Sequence, residues 1–293
     1  MVMPSDPGPV VQRALLTSEL QALRQKKGAT QDQVAAALDW SPSKLIRIEG
    51  GTVGVSTTDL HALLRYYGLD DDDPNVARLT EIARQARQRG WWSLYKNEVR
   101  PAYLEFLGYE AGASTIRNCQ PLVIPGLLQT EAYANSLTVE FLPDREQRDI
   151  VVEIRLQRQE RILERENPPE LHVILDEAAL RRRVGGQVDP LIMPDQLRHL
   201  LDMMQRPNIT VEIIPFSKGA HFGMIGQFTI LEFAGIGLGD VLYQENAGAG
   251  NSIVAVRGHQ VTEYKIAFEN VRQLAIPHEE SAAFIQEVIA SMT

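Results

Sequence analysis

Ser43, Lys44 and Arg47 lie in the stretch SPSKLIRIE, residues 41–49, together with Leu45 and Ile48. If the stretch is helical, Leu45 and Ile48 share one face and point inward, which turns Ser43, Lys44 and Arg47 to the opposite, open face. A helix anchored on one side by apolar residues and carrying polar groups on the other can present those groups to base edges in a DNA major groove. Arg47 has the planar fork that matches guanine O6 and N7, and Ser43 and Lys44 suit bases or phosphates. Ser41 at the helix start joins this contact set. Gln31, at the start of the preceding helix, is placed to meet a phosphate through its side chain or backbone N–H. Arg24 and Glu49 can pair across helices as a structural contact, and Ala35, Leu45 and Ile48 supply packing. The same periodicity also fits a small helical domain that binds only protein.

The rest of the chain offers weaker constellations. His221, in GAHFG, reads first as a loop histidine fixing a β-hairpin and second as a residue lining a binding cleft. A phospholipase-D-like His-x-Lys motif would need Lys where Gly223 stands, and no second copy occurs. Asp176 and Glu177 follow a strand pattern and read as helix caps. Arg181, Arg182 and Arg183 could bind an anion or the DNA backbone, and Arg181 and Arg182 could line such a cleft, but the run also suits a helix C-terminus before Gly185–Gly186. The GIGLG string at 235–239 and GAG at 248–250 lack the strand–turn–helix order of a dinucleotide cradle and read as hairpin loops. No nucleophile–base set, metal-ligand spacing or cofactor motif emerges, so no enzyme, metal or cofactor is expected.

Charge is divided unevenly. The chain carries a formal net charge of −9 over 293 residues, yet residues 1–70 hold seven basic and seven acidic side chains and are neutral. The acid therefore lies in the remainder. A neutral reader beside an acidic body is expected to bind DNA weakly and with strong salt dependence. The lone Cys119 excludes an internal disulfide and fits a reducing cytoplasm. No apolar run approaches the ~20 residues of a membrane span, and the N-terminus lacks a secretory pattern. The expectation is a cytoplasmic protein with two domains.

Helix signals organise the first segment. Val10 to Lys27 places Leu16, Leu20 and Leu23 at helical spacing before Gly28. Thr30 and Gln33 form a capping box for a helix through Leu38, Asp39–Trp40 makes a tight turn, and Ser41–Pro42 opens the next helix. Thr57 or Thr58 caps a fourth helix that ends before Gly68. Pro74 starts another after the acidic run Asp70 to Asp73. The organisation predicted is a helix-turn-helix domain over 10–70, a helical connector over 71–90, and a larger α/β or α+β domain over 91–293. In that domain, strands are expected at Leu171–Leu175, Ile209–Ile214, Phe228–Phe233, Val241–Tyr243 and Ile253–Val256. Helices are expected at Arg145–Glu166, Asp195–Gln205, Val261–Leu274 and Glu279–Ile289.

LRQKKGATQDQVAAALDWSPSKLIRIEGG, residues 23–51, resembles the Xre, or lambda-repressor-like, helix-turn-helix family. Arg24, Gly28, Thr30–Gln31, Ala35, Leu38, Ser41–Pro42–Ser43, Ile46 and the RIEG ending carry the likeness; Ala29 and Trp40 depart from it. IPGLLQTEAYA at 124–134, RLQRQERIL at 155–163, HVILDEAALRRRVGG at 172–186, the QL pair at 196–197, PFSKGAHFGMIGQFTILEF at 215–233 and VLYQENAGAG at 241–250 are similar to the domain behind such readers in the WhiJ-like set of actinobacterial regulators. That resemblance implies a transcriptional regulator working with a small separate protein of the BldB-like class, and some relatives are antitoxin-like. It implies no agreed ligand and no catalytic residue. Readers of this kind commonly bind paired half-sites as homodimers, so a homodimer on double-stranded operator DNA is expected, with an unidentified small ligand as an alternative input.

Overall fold

The computed structural model describes residues 7–246, 251–256 and 258–292. Two compact units emerge. Among the described residues, the first takes in those from Pro7 to Ser93 together with Gly235–Leu238, and the second takes in Leu94–Ala234 and those from Gly239 on.

Five helices build the first unit: α1 Gly8–Lys26, α2 Gln31–Ala37, α3 Pro42–Glu49, α4 Thr57–Tyr67 and α5 Pro74–Gln85. Their apolar stripes meet in one core that includes Leu16, Leu20, Val34, Leu45, Ile48, Leu60, Leu63 and Leu64. Local sequence sets the boundaries. Thr30 accepts from the Gln33 N–H while the Gln33 side chain accepts from the Thr30 N–H, the reciprocal capping box expected there. Ser56, rather than Thr57 or Thr58, caps α4 by accepting from the Asp59 N–H at 3.0 Å. Asp73 caps α5 through the Asn75 N–H. Gly68 ends α4 at φ 90°, a left-handed conformation that a side chain would strain. The turn between α2 and α3 holds Asp39 at φ 54°, the one non-glycine residue with positive φ among those described. Val76, Leu79, Ile82 and Ala83 bury α5 in the same core. The segment expected as a connector is thus packed as a helix of the first unit.

The second unit is built on a six-stranded mixed sheet in the order β3-β2-β1-β4-β5-β6. Its strands are β1 Thr115–Gln120, β2 Glu170–Asp176, β3 Ile209–Ile214, β4 Phe228–Glu232, β5 Val241–Asn246 and β6 Asn251–Val256. β1, β2 and β3 run parallel, while β4 pairs antiparallel with β1 and the hairpins continue to β6. The helices are α6 Pro101–Gly112, α7 Glu131–Val139, α8 Arg145–Leu163, α9 Glu177–Arg181, α10 Ile192–Met203, α11 His259–Arg272 and α12 His278–Ala290. Val261, Phe268 and Val271 of α11 bury one face of the sheet with Cys119, Ile174, Phe228 and Ile230.

Central strand β1 escaped the sequence reading because TIRNCQ carries too many polar residues to look buried. The fold pairs two of them, and leaves the side-chain oxygens of Asn118 and Gln120 buried without a hydrogen-bond partner. Arg117 donates to Glu232 at 3.0 Å and Glu269 at 2.7 Å, and Asn118 donates to Thr229 Oγ1 at 2.7 Å. Edge strand β3 is closed by side chains of α12. His278 Nδ1 accepts from the Val211 N–H at 3.0 Å, and Ser281 Oγ accepts from the Ile213 N–H at 3.1 Å. These contacts occupy donors that an open edge would offer to another chain.

A candidate nucleic-acid interface and its family

Glu49 is the fixed point of the first unit. Its side chain is 2% exposed, and Arg24 Nε donates to its two oxygens at 2.7 and 3.0 Å. Gln31 Nε2 donates to Oε2 at 2.8 Å, and Gln21 Nε2 to the Glu49 carbonyl at 2.7 Å. Arg24 also reaches the Ala29 carbonyl through Nη1. The hydrogen bond to Glu49 holds the guanidinium pKa above its ordinary value. A buried carboxylate needs this saturation, since an unpaired charge there is costly. The consequence is geometric: α1, the start of α2 and the end of α3 are tied to one carboxylate, so the α2–α3 pair is held as a rigid body.

α3 divides its side chains sharply. Leu45 and Ile48 are buried, and Ala35 of α2 is fully buried in the same unit. Ser41, Ser43 and Arg47 stand exposed. Ser41 Oγ and Ser43 Oγ lie 3.2 Å apart, and Ser41 makes no side-chain cap bond. Arg47 Nε donates to the Ser43 carbonyl at 3.3 Å, laying the side chain back along its own helix. Lys44 turns elsewhere. Its Nζ is 2.6 Å from Asp59 Oδ1 and lies over the Trp40 ring at 3.9 Å. Gln31, held by Glu49, is half-buried. Of the residues expected at a DNA surface, Ser41, Ser43 and Arg47 are brought together on the outer side of α3, while Lys44 and Gln31 are engaged within the domain.

Ile46 also belongs to that outer side. It is 51% exposed. The sequence signals its place, because with Leu45 and Ile48 buried, position 46 falls on the face of Ser43 and Arg47.

In the second unit, the distinctive motifs turn inward. Gln129 donates to the Ile124 carbonyl at 2.6 Å and accepts from Arg155 Nη1 at 2.6 Å. Gln159 reaches the carbonyls of Gly126 and Gln129. Gln196, fully buried, donates to the Leu128 carbonyl and accepts from the Thr130 N–H, each at 2.7 Å. Arg158 pairs with Glu110, a side chain only 1% exposed. The glutamine contacts pin the loop before α7 to α8 and α10, and the Arg158–Glu110 pair ties α8 to α6.

The expected cleft residues are likewise placed by packing. Asp176 ends β2 and caps α9 by accepting from the Ala178 N–H, while its other oxygen lies 2.9 Å from His221 Nε2. The His221 side chain is 2% exposed. Glu177 accepts from the Phe216 N–H at 2.7 Å. The segment around His221 is not a hairpin, contrary to expectation, because it links β3 to β4 and those strands are separated in the sheet by β2 and β1. A Cβ on Gly223 would come within 2.9 Å of Cys119 Sγ and 3.1 Å of His221 Nδ1, so this loop packs only with glycine there. Burial, with Asp176 nearby, pushes the Cys119 thiol up to about 12. Arg181 pairs with Glu177 at 2.5 Å, and Arg182 and Arg183 are exposed. The 235–239 string links the antiparallel pair β4–β5, as expected of a hairpin loop, whereas 248–250 lies outside the described residues. No group of three or more His, Cys, Asp and Glu side chains among the described residues is placed to hold a metal ion, and no described helix is long and apolar enough to cross a membrane.

Comparison with known families agrees with this division. Residues 15–79 match a family described as a helix-turn-helix domain, which supports a DNA-binding regulator. No curated protein and no solved structure matches it. Residues 103–287, most of the chain and nearly all of the second unit's helices and sheet, match the family described as domain of unknown function DUF5753, and the chain belongs to that family.

Proposed function

We propose that the chain is a sequence-specific transcriptional regulator of the Xre type in which α3 enters the major groove. Arg47 reads a guanine, and Ser43 and Ser41 contact bases or phosphates nearby. The observation that carries this reading is the outward group on α3, mounted on a helix pair locked by the buried Glu49. Preorganisation of this kind spares the ordering cost at binding. Lys44 serves the domain first, bracing α3 against Asp59.

The second unit carries the regulatory input in this reading. It joins two chains and receives a small BldB-like partner protein or a small ligand, which shifts operator affinity by favouring one arrangement of the paired readers. Exposed Phe216, Met224 and Ile225 support it. They project from a loop anchored underneath by His221–Asp176 and Glu177, an apolar display typical of surfaces that are covered in a complex.

The test is a titration of the full-length chain against a duplex from the promoter of its own gene and a scrambled duplex, across a salt series, with and without the small protein encoded next to it. Tighter binding to the promoter, falling linearly with log salt and altered by the small protein, is expected. Equal affinity for both duplexes overturns the regulator reading. Promoter binding untouched by the added protein overturns the protein-partner reading alone.

A further inference from the structure

Ile46 is the one large apolar side chain of the first unit that stands exposed among the described residues. Single exposed apolar residues are ordinary on protein surfaces, so exposure alone says little. Its position says more. Ile46 sits three residues after Ser43 and next to Arg47, within one turn of α3, on the face opposite buried Leu45 and Ile48. Lys44, the other long side chain near this face, is drawn off to Asp59 and Trp40. What remains outward is a hydroxyl, a branched hydrocarbon and a guanidinium.

In the major groove the base edges offer hydrogen-bonding groups and one apolar feature, the 5-methyl of thymine. A β-branched hydrocarbon has no means of reading the former and is well shaped for the latter. Its χ1 is stiff in a helix, so the methyl contact would be fixed in place. We propose that Ile46 is a specificity-determining residue that packs on a thymine methyl in the base step beside the guanine read by Arg47. This inference rests on the DNA-reading role of α3, and it adds a base preference that the polar residues do not supply.

The test uses the full-length chain and a duplex selected by it from a randomised library. Each thymine is replaced in turn by deoxyuridine, which removes the methyl and keeps every hydrogen-bonding group. One replacement per half-site is expected to weaken wild-type binding about fourfold, the worth of one buried methyl. Ile46→Ala, which leaves the core untouched and the melting temperature unchanged, is expected to bind the thymine and deoxyuridine duplexes equally. Indifference of the wild type to every replacement overturns the proposal, as does a deoxyuridine penalty that persists in Ile46→Ala. Failure to select any sequence from the library overturns the DNA-reading role itself, which separates the two claims.

Discussion

The first unit keeps its buried polar hub small and its outward group free, whereas the second turns nearly all of its distinctive residues inward. Glu49 gathers Arg24 and Gln31 so that Ser43, Ile46 and Arg47 remain available on α3. In the second unit Gln129, Gln159, Gln196 and Arg158 are spent on loop carbonyls and a buried carboxylate. The contrast teaches that a polar motif can mark either a reading surface or an internal brace. Buried polar networks are costly when incomplete, so their residues are as constrained as those of a site.

This comparison can be broken at the hubs first. Glu49→Ala leaves Arg24 and Gln31 without their acceptor and is expected to destabilise the first unit by about 3 kcal/mol, read as the urea transition of that unit. A loss below about 1 kcal/mol would mean that the hub is dispensable. Gln196→Ala strands the Leu128 carbonyl and the Thr130 N–H, and should cost the second unit about 2 kcal/mol while sparing the first. Unchanged melting of the second unit would remove the bracing role. Lys44→Ala tests the division on α3. Its ion pair with Asp59 is half-exposed, so a stability loss within about 1 kcal/mol is expected, with a smaller drop in specific DNA binding than Arg47→Ala gives; a larger drop would return Lys44 to the reading face. The smallest effect sharpens the turn. Asp39→Gly relieves a left-handed aspartate and should gain up to about 1 kcal/mol, checked by thermal melting; a loss would show that the carboxylate contributes more than the backbone strain costs.

Local rules made the first unit legible. The Thr30–Gln33 box, the Gly68 stop and the α3 stripe all act over a few residues, so the sequence displays them directly. The second unit was legible where strands are rich in apolar residues, as in β2, β3 and β4. β1 was missed because Arg117 and Asn118 find their partners in β4 and α11, more than a hundred residues away. The place of the His221 loop is not legible, because local pattern does not reveal that two strands intervene between β3 and β4. On α3 itself, periodicity gave the outward face but not the diversion of Lys44 and Gln31, which depends on Asp59 and Glu49 across helices.

The central claim is that the outer side of α3 reads DNA by sequence. Its most direct test compares wild type and Arg47→Ala on the promoter duplex and the scrambled duplex at one fixed salt concentration. The account predicts a loss of about 1–3 kcal/mol in specific binding, little change on the scrambled duplex beyond one lost charge, and an unaltered melting temperature. Specific binding that survives Arg47→Ala in full would contradict it and move recognition off this helix.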